Sequence, residues 1–177
     1  MTFTPTGGVS FAAPQTVPAP QVLMKTTMGD MLIELDPAKA PLSVDNFLQY
    51  VHDGFYTNLI FHRVIANFVT QGGGFDANLK QVTPRAPIKL ESANGLSNLR
   101  GTIAMARTSE PNSATSQFYF NNFDNLSLDG KVAGVDGYAV FGKLVAGLNV
   151  LDAIRVVPTT SDVPVTPVII TAATQTQ

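Results

Sequence analysis

Residues 61–75 read FHRVIANFVTQGGGF: two short apolar runs, a polar break between them, and three glycines to close. Phe, Val and Ile in short runs bounded by Gly and Asn mark strands, here Ile60–Val64 and Phe68–Gln71. One residue fits poorly. Arg63 is the only charged side chain between Asp53 and Asp76, and a charge in apolar surroundings is costly unless it is paired. No acid is supplied locally.

The same signal recurs outward from this stretch. Thr102–Arg107, Gln117–Asn121 and Ala139–Val145 are further short runs bounded by turn formers, and Val165–Ala172 reads as a closing strand. Toward the N-terminus, Val22–Thr26 and Met31–Leu35 flank Met28-Gly29-Asp30, which predicts a hairpin turn. Between these regions Pro41 opens a helical pattern. Val44, Phe47, Leu48 and Val51 form its apolar stripe, and Gly54 stops it. A second helix is predicted over Gly147–Val156, with Leu148, Val150, Leu151 and Ile154 facing inward. Many short strands with only two helices predict a mainly β fold, an antiparallel barrel or sandwich. A parallel sheet would need crossover helices that most strand pairs lack. Residues 1–20 hold four of the twelve prolines and predict an extended arm; residues 21–172 form one domain and 173–177 a polar tail.

Composition narrows the chemistry. At 177 residues, with 45% apolar and 14% charged residues, the chain can build one substantial core. A net charge of −2 with no basic run gives no footprint for nucleic acid or an acidic membrane. The absence of cysteine excludes disulfides, zinc-thiolate sites and thiol nucleophiles. No apolar run approaches the ~20 residues that span a bilayer. The first 24 residues carry no charged side chain and offer no secretory pattern. A cytoplasmic location is the default expectation, and a signal upstream of residue 1 would make it periplasmic.

The usual catalytic hardware is sparse. His52 falls at a helix end, where a cation suits the dipole. His62 points to the opposite strand face from Arg63 and reads as a packed, hydrogen-bonded strand histidine. The pair makes no metal motif. Gly72-Gly73-Gly74 matches no phosphate-binding pattern and reads as a bulge or tight bend. Asn125-Leu126-Ser127 is a common triplet, while Asp129-Gly130-Lys131 and Asp136-Gly137 read as turns.

Taken in order, FHRVIANFVTQGGGF, GTIAMARTSEPNSATSQFYF and GYAVFGKLVAGLNVLDAI resemble the cyclophilin-type peptidyl-prolyl isomerases, most closely their bacterial branch. The likeness runs from Val22 to about Thr171. It implies an eight-stranded antiparallel barrel capped by two α-helices, with a substrate groove outside the barrel and no cofactor. It implies rotation of X–Pro bonds in proline-containing peptides and folding proteins, by a monomer. Arg63 matches the catalytic arginine and Gln71 its polar neighbour. Phe68, Tyr119 and Leu128 match the proline pocket, with Val69 beside them, and Gln117 matches a polar groove residue. Ala106 and Arg107 match the segment whose backbone grips the substrate, and Tyr138 takes the place of the family's histidine. Val69 and Tyr119 stand where many members have Met and Phe. Ser127 stands where eukaryotic members have Trp and bacterial ones often Phe, which implies weak cyclosporin binding. Whether the Tyr119 hydroxyl narrows the pocket or adds a hydrogen bond is left open by the sequence.

Overall fold

A computed structural model describes residues 17–130 and 136–177. Most of the arm expected at residues 1–20, and Lys131 of the expected Asp129-Gly130-Lys131 turn, lie outside the described residues.

Ten strands and two α-helices are described. They are β1 Gln21–Thr26, β2 Gly29–Leu35, α1 Pro41–His52, β3 Arg63–Val64, β4 Val69–Gly72, β5 Thr102–Met105, β6 Phe118–Asn121, β7 Val140–Ala146, α2 Leu148–Ile154, β8 Thr159–Thr160, β9 Val163–Pro164 and β10 Ile170–Gln175. Eight strands form one antiparallel sheet in the order β10-β1-β2-β7-β5-β6-β4-β3, and β8 and β9 form a small hairpin. The sheet curls until its ends meet. Residues before β3 bond to residues before and at the start of β10: Phe61 N–H donates to Val168 O at 3.1 Å and Ile170 N–H to Leu59 O at 2.8 Å. Closure of this kind leaves little free edge.

Alternation along the strands sorts two layers of side chains. In β6, Phe118 and Phe120 turn into the barrel and meet Phe61, Phe47 and Tyr56, with Phe47–Phe118 and Tyr56–Phe118 packed edge to face at 5.7 and 5.3 Å. Tyr119 turns outward and packs with Val69, Ala104, Ala106 and Val140 in a separate cluster on the outer face. This outer cluster underlies the site.

Helix α1 caps one barrel end through Val44, Phe47, Tyr50 and Val51. Leu48 of the predicted stripe is only half-buried, while Tyr50 is fully buried. No side chain of its own end caps the helix. Glu91 does so from 48 residues away, accepting from Leu42 N at 2.9 Å, Ser43 N at 2.8 Å and Ser43 Oγ at 2.6 Å.

Four boundaries differ from expectation. The hairpin register pairs Thr26 with Gly29, so Thr27-Met28 form the tip and Gly29 already lies in β2. Helix α2 is shorter than predicted at both ends, and Leu148 is exposed rather than inward. Strand β3 is two residues long, because Ile60 and Phe61 are engaged in closing the barrel instead. Residues 173–175, expected to begin a polar tail, continue β10 and pair with Met24, Leu23 and Val22. Their polarity misleads because a strand of an antiparallel sheet can present one face to water.

Candidate active site

Sheet register aligns the site residues. Arg63 lies opposite Gln71 across β3 and β4, Gln71 opposite Tyr119 across β4 and β6, and Tyr119 opposite Ala104 across β6 and β5. Directly paired residues share a face and sit about 4.5–5.5 Å apart. One row across the outer face therefore carries a guanidinium, an amide and an aromatic ring. A cleft of about 100 Å³ opens over this row, lined by Arg63, Phe68, Val69, Gln71, Ala106, Arg107, Tyr119, Leu128 and Tyr138. Of the ten residues singled out from the sequence, only Gln117 is absent from this lining. It lies in an adjoining cleft that shares Gln71, Ala106 and Arg107, and it accepts from Gln71 Nε2 at 2.9 Å.

Arg63 is exposed to the cleft. Its guanidinium makes one hydrogen bond, from Nη1 to Gln71 Oε1 at a long 3.4 Å, and no ion pair among the described residues. A bond of that length holds the group loosely. Gln71, itself tied to Gln117, steers the guanidinium without neutralising it.

The apolar end is built on buried amides. Phe68 closes a turn whose carbonyl accepts from Asn122 N and Asn125 Nδ2, both at 3.0 Å. Asn122 also donates through Nδ2 to Ile65 O at 3.0 Å. On the opposite wall Tyr138 meets Tyr119 edge to face at 5.9 Å, and the Arg107 guanidinium lies over the Tyr138 ring at 4.5 Å. Arg107 Nη2 donates to Asp136 O at 2.6 Å and Gly137 O at 3.0 Å. Its side chain thus fastens the Tyr138 loop, while its backbone N–H and C=O make no hydrogen bond among the described residues.

The question of the Tyr119 hydroxyl is answered: it adds a hydrogen bond. It donates to Asn98 Oδ1 at 2.7 Å, beneath the lining, and burial raises the phenol's pKa. Asn98, Asn121, Asn122 and Asp129 are all buried, and none of them was expected from the sequence to support the site. Asp129 is not merely a turn residue, since its Oδ1 accepts from Asn98 N at 2.7 Å and Nδ2 at 2.9 Å. The available signal was a cluster of amides beside the apolar FYF of β6, where buried polar groups need partners.

The triple glycine is a packing device. Gly73 has φ +85°, and a Cβ on Gly74 would stand 2.6 Å from Gln117 Cγ, so the chain passes directly beneath a groove residue. His62 departs from its expected hydrogen-bonded state. Its Nδ1 is buried without a partner among the described residues, and its ring packs on Phe75 at 4.5 Å. Burial, with the Arg63 charge beside it, lowers its pKa to about 4.

Comparison with known proteins gives a consistent result. Residues 21–175 match the model of the cyclophilin type peptidyl-prolyl cis-trans isomerase/CLD family. A peptidyl-prolyl cis-trans isomerase of Acinetobacter baylyi is 54% identical over 140 residues, 79% of this chain and 74% of the relative. Peptidyl-prolyl cis-trans isomerase B of Escherichia coli is 48% identical over 160 residues, 86% of this chain and 98% of the relative. Among solved structures, a Cryptosporidium parvum cyclophilin type isomerase in the presence of the dipeptide Ala-Pro superposes with a TM-score of 0.76 at 28% identity. It covers 89% of this chain and 99% of its own.

Proposed function

We propose, since this chain belongs to the cyclophilin-type peptidyl-prolyl cis-trans isomerase family, that its rotation of X–Pro bonds takes place in the cleft bounded by Arg63 and Leu128. The observation that carries this reading is the guanidinium of Arg63, exposed in the cleft with a single long bond, to Gln71, among the described residues.

The peptide C–N bond resists rotation with a barrier of ~18–20 kcal/mol, and uncatalysed X–Pro exchange takes about tens of seconds or more. Reaching the millisecond scale requires roughly four powers of ten, about 5.5 kcal/mol. As the bond twists, the prolyl nitrogen becomes pyramidal and regains a lone pair. A guanidinium N–H aimed at that nitrogen stabilises the twisted state more than either planar form. A charged hydrogen bond contributes about 1.5–3 kcal/mol, so Arg63 needs help. Phe68, Val69, Tyr119 and Leu128 hold the prolyl ring still while Gln71, Gln117 and the unbonded backbone of Arg107 hold the flanking chain, which restricts motion to the twist. No covalent step and no proton transfer is needed.

Proline-containing peptides are therefore the ligands of the cleft, a reading supported by the Cryptosporidium parvum structure determined in the presence of Ala-Pro. Cyclosporin binds weakly, because exposed Ser127 provides no aromatic wall.

The test is cis/trans exchange of an Ala-Pro peptide followed by NMR. Arg63→Ala, checked for an unchanged fold by circular dichroism, loses about 1.5–3 kcal/mol of transition-state stabilisation, or roughly ten- to a hundredfold in kcat/KM. Wild-type turnover in that variant sinks the reading.

A further inference from the structure

Tyr119 lines the cleft with its ring, yet its hydroxyl donates to Asn98 Oδ1 at 2.7 Å. Asn98 is fully buried and takes no part in the lining. The hydroxyl is thus turned into the protein, away from the space the ring helps to enclose.

The Asn98 amide is oriented by its other partners. Nδ2 donates to Asp129 Oδ1 at 2.9 Å and Oδ1 accepts from Asn121 Nδ2 at 3.1 Å. Reversing the amide would set its oxygen against a carboxylate and its NH₂ against that of Asn121. The acceptor offered to Tyr119 is therefore fixed.

We propose that Asn98 is a positioning residue that holds the Tyr119 hydroxyl inward and so keeps the proline pocket open. This rests on the reading that the cleft receives the prolyl ring. A buried hydroxyl without a partner is unfavourable, and the water accessible to Tyr119 lies in the cleft itself. Removing the acceptor favours a conformer in which the phenol swings outward into a space of only about 100 Å³. A pocket open for only part of the time binds more weakly by that fraction, while turnover at saturation is preserved.

The test is a double-mutant cycle on steady-state isomerisation of an Ala-Pro peptide, with Arg63→Ala run alongside. Asn98→Ala in the wild-type background raises KM about tenfold and changes kcat by less than about twofold. In a Tyr119→Phe background, where no hydroxyl seeks water, the same substitution moves KM by less than about twofold. An equal rise in both backgrounds, or no rise in the first, overturns the proposal. If Asn98→Ala does not fold, the wild-type protein decides. A slowly exchanging Tyr119 hydroxyl proton in its NMR spectrum supports the tether, and exchange as fast as that of a free phenol overturns it. Should Arg63→Ala keep full turnover, the cleft itself is misassigned and the proposal falls with it. Should Arg63→Ala lose turnover while Asn98→Ala keeps its KM, the cleft stands and only the tether falls.

Discussion

At the scale of single residues, the site depends on polar groups whose partners are rationed. Arg63 has no carboxylate partner among the described residues, and one placed against its fork would compete with the prolyl nitrogen for the same N–H groups. The oddity of Arg63 was visible in FHRVIANFVTQGGGF because charge and apolar context conflict there. The direction of the Tyr119 hydroxyl was not, because it depends on an asparagine 21 residues away. The residues lining the cleft could be named from an ordered set of motifs, whereas the amides supporting them carry no motif. Ser127 gives this scale its prediction. It is exposed in the middle of the short turn Leu126–Leu128, so Ser127→Trp adds an aromatic wall without displacing a core residue. An added aromatic contact contributes about 0.5–1.5 kcal/mol beyond its area, and cyclosporin affinity measured by calorimetry rises by roughly two- to tenfold or more. Unchanged affinity would show that this position does not limit drug binding.

At the scale of elements, what the sequence concealed was long-range satisfaction of local geometry. Strand existence followed from short apolar runs, and α1 from its stripe, its Pro start and its Gly stop. The cap of α1 did not, since Ala40 precedes the helix and the capping carboxylate comes from Glu91. That carboxylate satisfies two helix N–H groups and the Ser43 hydroxyl, and it complements the positive end of the helix dipole. Ser43 is fully buried, so water reaches its donors poorly once Glu91 is removed. Glu91→Ala is predicted to cost about 1–3 kcal/mol, lowering the melting temperature by about 2–4 °C for each kcal/mol. Glu91→Gln, which keeps one acceptor oxygen, loses less. Equal melting temperatures for wild type and Glu91→Ala would show that the cap contributes nothing. Because α1 covers the barrel end and not the outer face, KM for an Ala-Pro peptide stays unchanged in both variants at temperatures well below melting.

At the scale of the whole molecule, closing the sheet places a titratable group where its charge is unwelcome. His62 precedes β3 at the barrel seam, with Nδ1 buried and unpartnered and Arg63 next in the chain. Its pKa falls to about 4 in the folded protein from 6.5. The unfolded chain therefore binds the proton more readily between these values, so stability rises with pH across that window and is lost as pH falls through it. Because the ring is only partly buried, solvent screening limits the resulting loss between pH 6.5 and 4 to about 1–2 kcal/mol. Asp152 acts lower down. Hydrogen bonds from Arg100 and Arg155 hold its carboxyl at about 2, so its contribution is present above the ordinary carboxylate pKa and disappears as pH falls through about 2. Its side chain is 37% exposed, and solvent screening limits that contribution to about 1 kcal/mol or less. The two windows hardly overlap, so urea unfolding at pH 7, 5.5 and 4 reports chiefly on His62. His62→Leu, which fills the same apolar site without a proton to lose, flattens the dependence over this range. Parallel slopes for wild type and variant would mean that the seam histidine accepts its proton in the folded state as easily as in the unfolded one.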